Sequence, residues 1–347
     1  MAIQIIQSSD NGGTFIGKLN DNFTELYGYH NQSTYTDRQC LTRFIQEMNT
    51  KAALLGMSST TFYDPVGLQP VSSLNIANLS TNYPQAFSIN DNNVTTAMDA
   101  LRMLIYASGV QHINDAWNIP SFTLNFMRGT TAMSDTIYSS VYSSSTYQSS
   151  IDALLASYDI LGGKTGTWSK TPFYAFHLDF IARSKSTSKV YAVVNMSTST
   201  ANSASDNRFI DAKKALDYVD ANGSNPNFSR GGCVVAELSP YTPSLFNHAD
   251  ITLAYEYGKT TSIHPASTTK IMTAILLCDS VLDLGQKVTI HEDDRLPGSG
   301  YNFLDGDVVT LRNLLNCMMT ESSNTSAMVV ARVVGGILLD NDNNTLT

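Results

Sequence analysis

Two apolar runs near the middle of the chain restrict its fold more than any other pattern in the sequence. Phe173–Ala182 and Val190–Met196 are strand-like, and the polar segment Arg183–Lys189 separates them. Strand-like runs joined by a short polar turn predict a β-hairpin. Two more strands are predicted at Cys233–Leu238 and Ile251–Tyr257. The chain is therefore expected to contain a β-sheet from its middle onward.

Helix-forming patterns lie on both sides of these strands. In each of them, apolar residues recur at three- and four-residue spacing, as on one face of an α-helix. The predicted helices are Leu41–Leu55, Val94–Ala107, Asn207–Val219, Ser267–Ser280, Leu311–Thr320 and Asn324–Val334. Ser205 or Asp206 is the expected N-cap of the third helix. Ser134–Ser150 is so rich in Ser and Tyr that a loop or an irregular edge is predicted there.

The length of 347 residues predicts one to three domains at about 150 residues per domain. The clearest boundary is Asp220–Gly232, which is rich in Gly, Asn, Ser and Pro. Residues 1–36 are expected to form an N-terminal extension, in which Gly17–Tyr29 has the spacing of a short amphipathic helix. Thr14–Tyr27 loosely resembles the openings of bacteriophage tail proteins, which implies a phage particle as a partner. A flexible leader is the alternative.

The charge of the chain limits its partners. It has 21 basic and 30 acidic residues and a net charge of −9, which argues against nucleic acid or an anionic membrane. The first residues lack the basic region, apolar core and cleavage site of a signal peptide. No apolar stretch approaches the roughly 20 residues of a membrane span. Charged residues make up only 15% of the chain, so an extracytoplasmic or virion-associated location is expected even without a visible signal.

Cysteine and histidine spacing argues against a metal site. The four cysteines show no C-x-x-C pair, and the six histidines never fall at H-x-x-x-H spacing. Cys278 and Cys317 lie in apolar helical runs, so they are predicted to be buried free thiols. No metal or organic cofactor is expected.

The first motif that could carry catalytic chemistry is Ser267-Thr268-Thr269-Lys270, at the start of a predicted helix. Residues i and i+3 share a helix face, so Lys270 is expected beside the Ser267 hydroxyl. The start of a helix also offers a positive dipole end and a backbone N–H that can stabilise an oxyanion. Ser186–Lys189 has the same S-x-x-K pattern but lies in the predicted hairpin turn. Ser267 is therefore the better candidate nucleophile.

The second motif is Ser322-Ser323-Asn324, between two predicted helices. It offers a hydroxyl for proton relay and an amide to hold a substrate or a nearby lysine. Ser73–Asn75 and Ser88–Asn90 match the same S-x-N pattern, and a helix cap is the alternative interpretation of each triplet.

The third motif is Gly162-Gly163-Lys164-Thr165-Gly166-Thr167, just before the first apolar run. On an edge strand, Lys164 would supply a cation and Thr165 a hydroxyl for a substrate carboxylate. Gly166 would let a ligand lie against the backbone. A phosphate-binding loop is excluded because the G-x-x-x-x-G-K-[ST] spacing is absent.

Penicillin-binding proteins and β-lactamases carry S-x-x-K, S-x-N and K-T-G motifs together. Further stretches here resemble low-molecular-mass D-alanyl-D-alanine carboxypeptidases of the β-lactamase/transpeptidase-like superfamily. These stretches are Met48–Leu68, Asp206–Tyr218, Val288–Ile290 and Gly306–Leu315. The resemblance extends over roughly residues 37–336. It implies an α+β fold, in which helices flank an antiparallel sheet and an all-helical lobe completes the cleft.

The order of the motifs differs from that in the resembled family. There S-x-x-K comes first, followed by S-x-N, a Leu-Gly-Met segment and K-T-G, whereas here Leu55–Met57 and Lys164 precede Ser267. A circular permutation would restore the family order within residues 37–347. The sheet lobe would then span about 151–282, and the helical lobe would combine 37–150 with 283–347. A tandem array or a domain-swapped homodimer is the alternative.

The resemblance implies a serine D-Ala-D-Ala carboxypeptidase that acts on peptidoglycan stem peptides and is inhibited by β-lactams. Ser267 would form the acyl-enzyme, Lys270 would be the base and Ser322 the proton relay. The implied substrate-binding residues are Asn324, Lys164, Thr165, Gly166 and Thr167. A β-lactamase is one alternative, although the chain has no E-x-x-L-N segment of the kind that deacylates class A enzymes. The others are a D,D-endopeptidase and a non-catalytic cell-wall-binding virion or surface protein.

Overall fold

The computed structural model describes residues 35–67, 93–110, 113, 145–170, 173–199, 207–228, 230–238, 251–281, 283–296, 298–301 and 303–344. Seven α-helices lie within these residues: α1 (Asp37–Leu54), α2 (Ala97–Ser108), α3 (Ser145–Ser157), α4 (Arg208–Asp220), α5 (Lys270–Ser280), α6 (Leu311–Thr320) and α7 (Asn324–Asn344). The strands among them are β1 (Tyr158–Lys170), β2 (Phe173–Ser184), β3 (Val190–Ser199), β4 (Gly232–Glu237), β5 (Leu253–Tyr257), β6 (Lys287–Thr289) and β7 (Val308–Thr310). The fold is α+β.

Strands β1 to β5 form an antiparallel sheet in sequence order, with β1 at one edge. The predicted hairpin is present, because β2 and β3 pair from Tyr174–Ser199 to Arg183–Val190. The K-T-G segment lies in the edge strand β1, where Lys164 is directly opposite Asp179 of β2. Strands β6 and β7 form a second, two-stranded sheet. As an edge strand, β1 has one row of backbone groups that no other strand of this sheet pairs.

Threonine side chains define the start of three helices. Thr36, Thr96 and Thr310 each precede a helix and accept a hydrogen bond from the backbone N–H three residues later. This satisfies one of the free donors of the first turn of α1, α2 and α6. These helix starts are therefore encoded locally in the sequence.

The prediction for Ser134–Ser150 is wrong where the structure describes that segment. Residues 145–150 form the first turns of α3 rather than a loop or an edge. Later in the same helix, Ile151 and Leu154 are buried against the sheet. Packing of these side chains outweighs the weak helix preference of the Ser-rich start.

The predicted boundary, the predicted N-cap of α4 and the predicted N-terminal extension can each be compared with the described residues. Asp220–Gly232 joins α4 to β4, and β4 pairs with β3, so this segment is a connection within one sheet and not a boundary. Asn207 precedes α4 without a side-chain cap hydrogen bond. Ser205, Asp206 and the whole predicted extension before Tyr35, including Gly17–Tyr29, lie outside the described residues.

The cysteine prediction needs a smaller correction. All four cysteines are free, and Cys40 and Cys233 are buried. Cys278 and Cys317, which were predicted to be buried, are only partly so. Each lies near the carboxyl end of its helix and packs, partly buried, against a hydrophobic core.

Two hydrophobic cores lie on opposite faces of the five-stranded sheet, because successive strand residues alternate between faces. Ile181 and Val194 belong to the larger core, which also contains residues of α1, α2, α5, α6 and α7. Phe180 and Val193 belong to the smaller core, shared with α3 and α4. The helices that carry the S-x-x-K and S-x-N motifs are therefore packed into the same core as one face of the sheet.

Helices α1 and α7 lie side by side, so the two ends of the described chain meet. The backbone carbonyl of Cys40 in α1 lies so close to Gly335 in α7 that a Cβ there would be 1.8 Å from its oxygen. At the outer end of the same helix pair, Arg43 forms an ion pair with Asp342 at 2.7 Å. Because Gly335 has no side chain, α1 and α7 can pack this closely.

We expect Gly335→Ala to destabilise the protein by about 2–3 kcal/mol, because the new methyl group collides with rigid backbone and must push α1 away from α7. Gly336→Ala is the matched control, since its Cβ would only contact the Cys40 Sγ at 3.6 Å. That variant should be neutral or more stable by up to about 1 kcal/mol, as for other Gly-to-Ala changes within a helix. Denaturant unfolding measures both, and equal effects of the two variants would contradict the packing described here.

Candidate active site

Ser267 and Lys270 lie where a short turn becomes helix α5. Ala266–Thr269 forms a 3-10 turn, and Lys270 is the first residue of the α-helix. The three-residue spacing brings the Lys270 Nζ to 2.9 Å from the Ser267 Oγ. A neutral amine at this distance can take the proton of the hydroxyl and so activate it as a nucleophile.

The Lys270 amine is fully enclosed. The side chain is 0% exposed, and its Nζ donates to the Val66 carbonyl at 3.2 Å and to the Asn324 Oδ1 at 3.0 Å. Burial, and then the nearby charge of Lys164, hold the pKa of Lys270 well below its ordinary value. The environment therefore favours the neutral form that a general base requires.

Lys164 approaches the same place from the edge strand β1. Its Nζ donates to the Ser322 Oγ at 2.9 Å and to the Thr165 carbonyl at 2.8 Å. The side chain is 2% exposed. Burial and the Arg208 guanidinium lower the pKa of Lys164 to about 7, while Asp179 acts in the opposite direction. This lysine is therefore poised to change its charge near neutral pH.

The Ser322 hydroxyl joins the two lysines, because the Lys270 Nζ also lies 3.5 Å from its Oγ. Hydrogen bonds thus connect the K-T-G, S-x-x-K and S-x-N segments within a single chain. Ser322 and Ala266, which precedes Ser267, have positive φ angles of 64° and 48°. Such backbone costs on the order of 1–3 kcal/mol per residue and tends to occur where function requires it.

The remaining residues of the K-T-G strand continue along the edge of the site. Thr165 is partly buried and Thr167 is exposed. Gly166 lies against the turn that holds Ser267: a Cβ there would be 3.0 Å from the Pro265 carbonyl oxygen and 3.2 Å from the Thr268 methyl group. The space beside Gly166 is thus taken by the chain itself, and the glycine lets β1 approach the Ser267 turn closely.

A loop after α1 supports the lysine of the S-x-x-K motif. The Asp64 Oδ1 accepts hydrogen bonds from the backbone N–H of Val66 at 2.7 Å and of Gly67 at 2.5 Å. The Asn93 side chain donates to the Asp64 carbonyl at 2.9 Å and to the Thr269 Oγ1 at 3.2 Å. This network positions the Val66 carbonyl that accepts from Lys270.

Sequence reasoning assigned no role to these supporting residues. Asp64 to Gly67 do fall within Met48–Leu68, so the family resemblance was a usable signal for them. Asn93 had no comparable signal, because its role depends on a contact with a segment 176 residues away.

His177 links the sheet to the segment that precedes Ser267. The backbone N–H of Ser197 donates to His177 Nδ1 at 3.2 Å, so the proton of this neutral ring lies on Nε2, which donates to the His264 carbonyl at 2.7 Å. The ring is fully buried. This histidine fixes the distance between β2 and the Ser267 turn, and a buried histidine in an apolar run carries no sequence signal for that role.

The second S-x-x-K pattern has a structural role. The hairpin turn that contains it is held by the Asp220 carboxylate at the end of α4, which accepts from Ser184 Oγ at 2.6 Å, Thr187 Oγ1 at 2.6 Å and Tyr191 OH at 2.9 Å. Lys189 forms an ion pair with Glu237 at 3.0 Å. The other S-x-N triplets, Ser73–Asn75 and Ser88–Asn90, lie outside the described residues.

The described part of the chain contains no group of three or more His, Cys, Asp or Glu side chains arranged to hold a metal ion. Nor does any helix in that part have the length and apolarity needed to cross a membrane.

We expect Gly67→Ala to destabilise the protein by about 3 kcal/mol. Gly67 has a φ of +84°, and a Cβ there would lie 1.8 Å from the Ala266 carbonyl oxygen, so the loop would separate from the Ser267 turn. Gly306→Ala is the control, because Gly306 has a similar φ of +82° but nothing within 4 Å of a Cβ. It should cost only about 1 kcal/mol of backbone strain. Denaturant unfolding tests the difference, and a similar loss in both variants would refute a specific contact.

Comparison with known proteins bears on the identity of this site. Residues 242–340, which include Ser267, Lys270, Ser322 and Asn324, match the Beta-lactamase2 model, which describes a β-lactamase enzyme family. No curated protein and no solved structure gives a significant match. The family match, the α+β fold and its antiparallel sheet support placing the chain among the serine hydrolases of the β-lactamase/transpeptidase-like superfamily.

Proposed function

We propose that the protein is a penicillin-binding serine D-Ala-D-Ala carboxypeptidase that acts on peptidoglycan stem peptides. The observation that carries this proposal is the hydrogen-bonded series Ser267, Lys270, Ser322 and Lys164, whose two lysines are buried. A protein that only binds the cell wall has little need for a serine placed beside a neutral amine. The family match supports the hydrolase class, and the carboxypeptidase specificity is our inference.

In the proposed acylation, the Ser267 Oγ attacks the carbonyl carbon of the penultimate D-alanine and its proton passes to the Lys270 Nζ. The backbone N–H groups of Ser267 and Thr167 would stabilise the oxyanion, at about 3 kcal/mol per donor. To act as a base near neutral pH, Lys270 needs a pKa lowered by about 3 units from roughly 10.4. The complete burial of its amine next to Lys164 supports a shift in that direction.

The leaving D-alanine needs a proton and its carboxylate needs a cation. The Ser322 hydroxyl, 3.5 Å from the Lys270 Nζ, would relay the proton from that amine to the departing nitrogen. Lys164 and Thr165 would bind the terminal carboxylate, and Asn324 would position the substrate next to Lys270. A water molecule then hydrolyses the ester on Ser267, releasing the shortened peptide and restoring the hydroxyl.

We further propose that the chain is a circular permutant of its family. Joining the ends of residues 37–347 and opening the chain at Asp220–Gly232 would restore the order S-x-x-K, S-x-N and K-T-G. Two observations support this: α1 and α7 lie side by side at the ends of the described chain, and Asp220–Gly232 is a connection between α4 and β4. Surface termini that lie close together make such a rearrangement tolerable.

Exposure to benzylpenicillin should add one acyl group per chain, visible by intact-mass spectrometry. Ser267→Ala should abolish the adduct because it removes the nucleophile, whereas Ser186→Ala should keep it. The adduct should persist for much longer than in a β-lactamase. Labelled protein with the solution mass of one chain would exclude a domain-swapped dimer.

Three results would contradict this assignment in different ways. An adduct that survives Ser267→Ala would move the nucleophile elsewhere. Rapid turnover of penicillin would favour the β-lactamase alternative. No adduct at all in folded protein would favour a binding function without catalysis.

A peptide ending in D-Ala-D-Ala should lose its terminal D-alanine when incubated with the protein, as followed by release of the free amino acid. Lys270→Met should lower kcat about 10²–10⁴-fold, as expected for loss of a general base. Lys189→Met, in the other S-x-x-K pattern, is the matched control and should retain activity. The same peptide with an amidated C-terminus should be a poor substrate, because it lacks the carboxylate that Lys164 binds. Equal cleavage of the two peptides would instead favour an endopeptidase.

A further inference from the structure

Asp179 is a buried acid whose carboxyl group lacks a hydrogen-bond partner among the described residues. It lies in the central part of β2 and is 0% exposed. Neither of its carboxyl oxygens has a hydrogen-bond partner among the described residues. Buried polar groups are almost always hydrogen-bonded, so such a carboxyl calls for a specific explanation. None of the three motifs contains this residue.

The position of Asp179 relates it directly to Lys164. The two residues are opposite each other in the β1–β2 register. Directly opposed residues of antiparallel strands point to the same sheet face, with Cβ atoms about 5 Å apart. On its other side, Asp179 is opposite the apolar Val194 of β3. The carboxyl therefore faces the stem of the K-T-G lysine, while the Lys164 ammonium extends past it to Ser322.

The other charged groups around Lys164 make its positive charge costly. Arg208, from α4, is a buried cation that lowers the pKa of Lys164. Lys270, from α5, is also buried, and the charge of Lys164 in turn lowers the pKa of Lys270. His177, two residues before Asp179, is held neutral by its hydrogen bonds from Ser197 and to His264.

Asp64, from the loop after α1, acts on Lys270 and has its Oδ1 engaged by two backbone N–H groups. Among the described residues, Asp179 is thus the acid whose ionised form favours a charge on Lys164. The relation is mutual: burial raises the pKa of Asp179 well above its ordinary value, and the charge of Lys164 opposes this rise, so ionisation of the carboxyl depends on a charged Lys164. The Asp179 carboxyl has no hydrogen-bond partner, so the positive charge of Lys164 is what offsets the cost of burying it. Only the ionised carboxyl is stabilised by that charge.

We propose that Asp179 is the internal counterion of Lys164, which keeps the ammonium charged in the free protein so that the site can accept the terminal carboxylate of its substrate. This inference rests on the proposed function and adds a positioning residue to it. Asp179 acts through Lys164 and does not touch the substrate.

The test is the pH dependence of acylation by benzylpenicillin in wild type and Asp179→Asn. Lys164 binds the penicillin carboxylate only when protonated, so the rate constant should fall as pH rises through its pKa, about 7. Asparagine keeps the shape but removes the opposing charge, which lowers that pKa further. We expect the alkaline limb to move down by about one pH unit, a loss of about tenfold at pH 8 and only about twofold at pH 6.

Two further variants separate charge from structure. Asp159→Asn removes an exposed acid from the same strand as Lys164 and should leave the profile unchanged. Asp179→Val removes the charge and suits a buried strand position beside Val194, so it should fold even if Asp179→Asn does not. It should show the same shift of the alkaline limb, because it removes the same charge. Thermal stability does not separate the two roles, since removing one member of a buried charged pair is itself destabilising. A purely structural role predicts an unshifted profile in both variants.

A direct titration of Lys164 tests the effect of Asp179 on the Lys164 pKa independently of catalysis. In protein labelled with ¹³C at lysine Cε, the Lys164 signal, assigned with Lys164→Arg, should titrate at lower pH in Asp179→Asn than in wild type. An unchanged titration would overturn the counterion inference whatever the outcome with penicillin. Absence of acylation in wild type, with the titration shifted as expected, would reject the proposed function and leave the counterion supported.

Discussion

Two lysine amines buried around one serine hydroxyl are the constraint to which the rest of the structure responds. Removing an ammonium from water is costly, and two of them close together cost more, so the protein must neutralise or compensate them. Lys270 is surrounded by neutral acceptors, namely the Val66 carbonyl, Asn324 and Ser267. Lys164 is instead opposite the acid Asp179. The two lysines thus have different environments, which suits one as a base and the other as a cation.

The fold can be understood as the means of holding these groups at fixed distances. The edge strand β1 carries Lys164, the start of α5 carries Ser267 and Lys270, and the turn between α6 and α7 carries Ser322. His177 and the 64–67 loop brace these segments against each other. One continuous core beneath them includes sheet and helices alike. A substitution at His177 or in the 64–67 loop is therefore expected to change the distances between the site residues.

The sequence predicts the local parts of this arrangement better than the long-range parts. Apolar spacing located the hairpin and the helices, and the three-residue spacing predicted Lys270 beside Ser267. The Ser-rich start of α3 was missed because its helix depends on burial of later residues, Ile151 and Leu154. Asp179 and Asn93 could not be found, because their roles arise from strand register and loop packing. Periodicity reports which face is buried and not which neighbour it meets.

The pairing of α1 with α7 has a consequence for how the chain folds. Arg43 and Asp342 are 299 residues apart in sequence, so the first described helix finds its partner only after nearly all of the intervening chain has been made. Contacts between distant residues slow folding, because the loop must close before they form. The five-stranded sheet can assemble from neighbours in sequence, whereas the helical layer stays open until α7 docks. Ser322 lies in the turn just before that helix and Asn324 is its first residue, so their contacts with Lys270 form last.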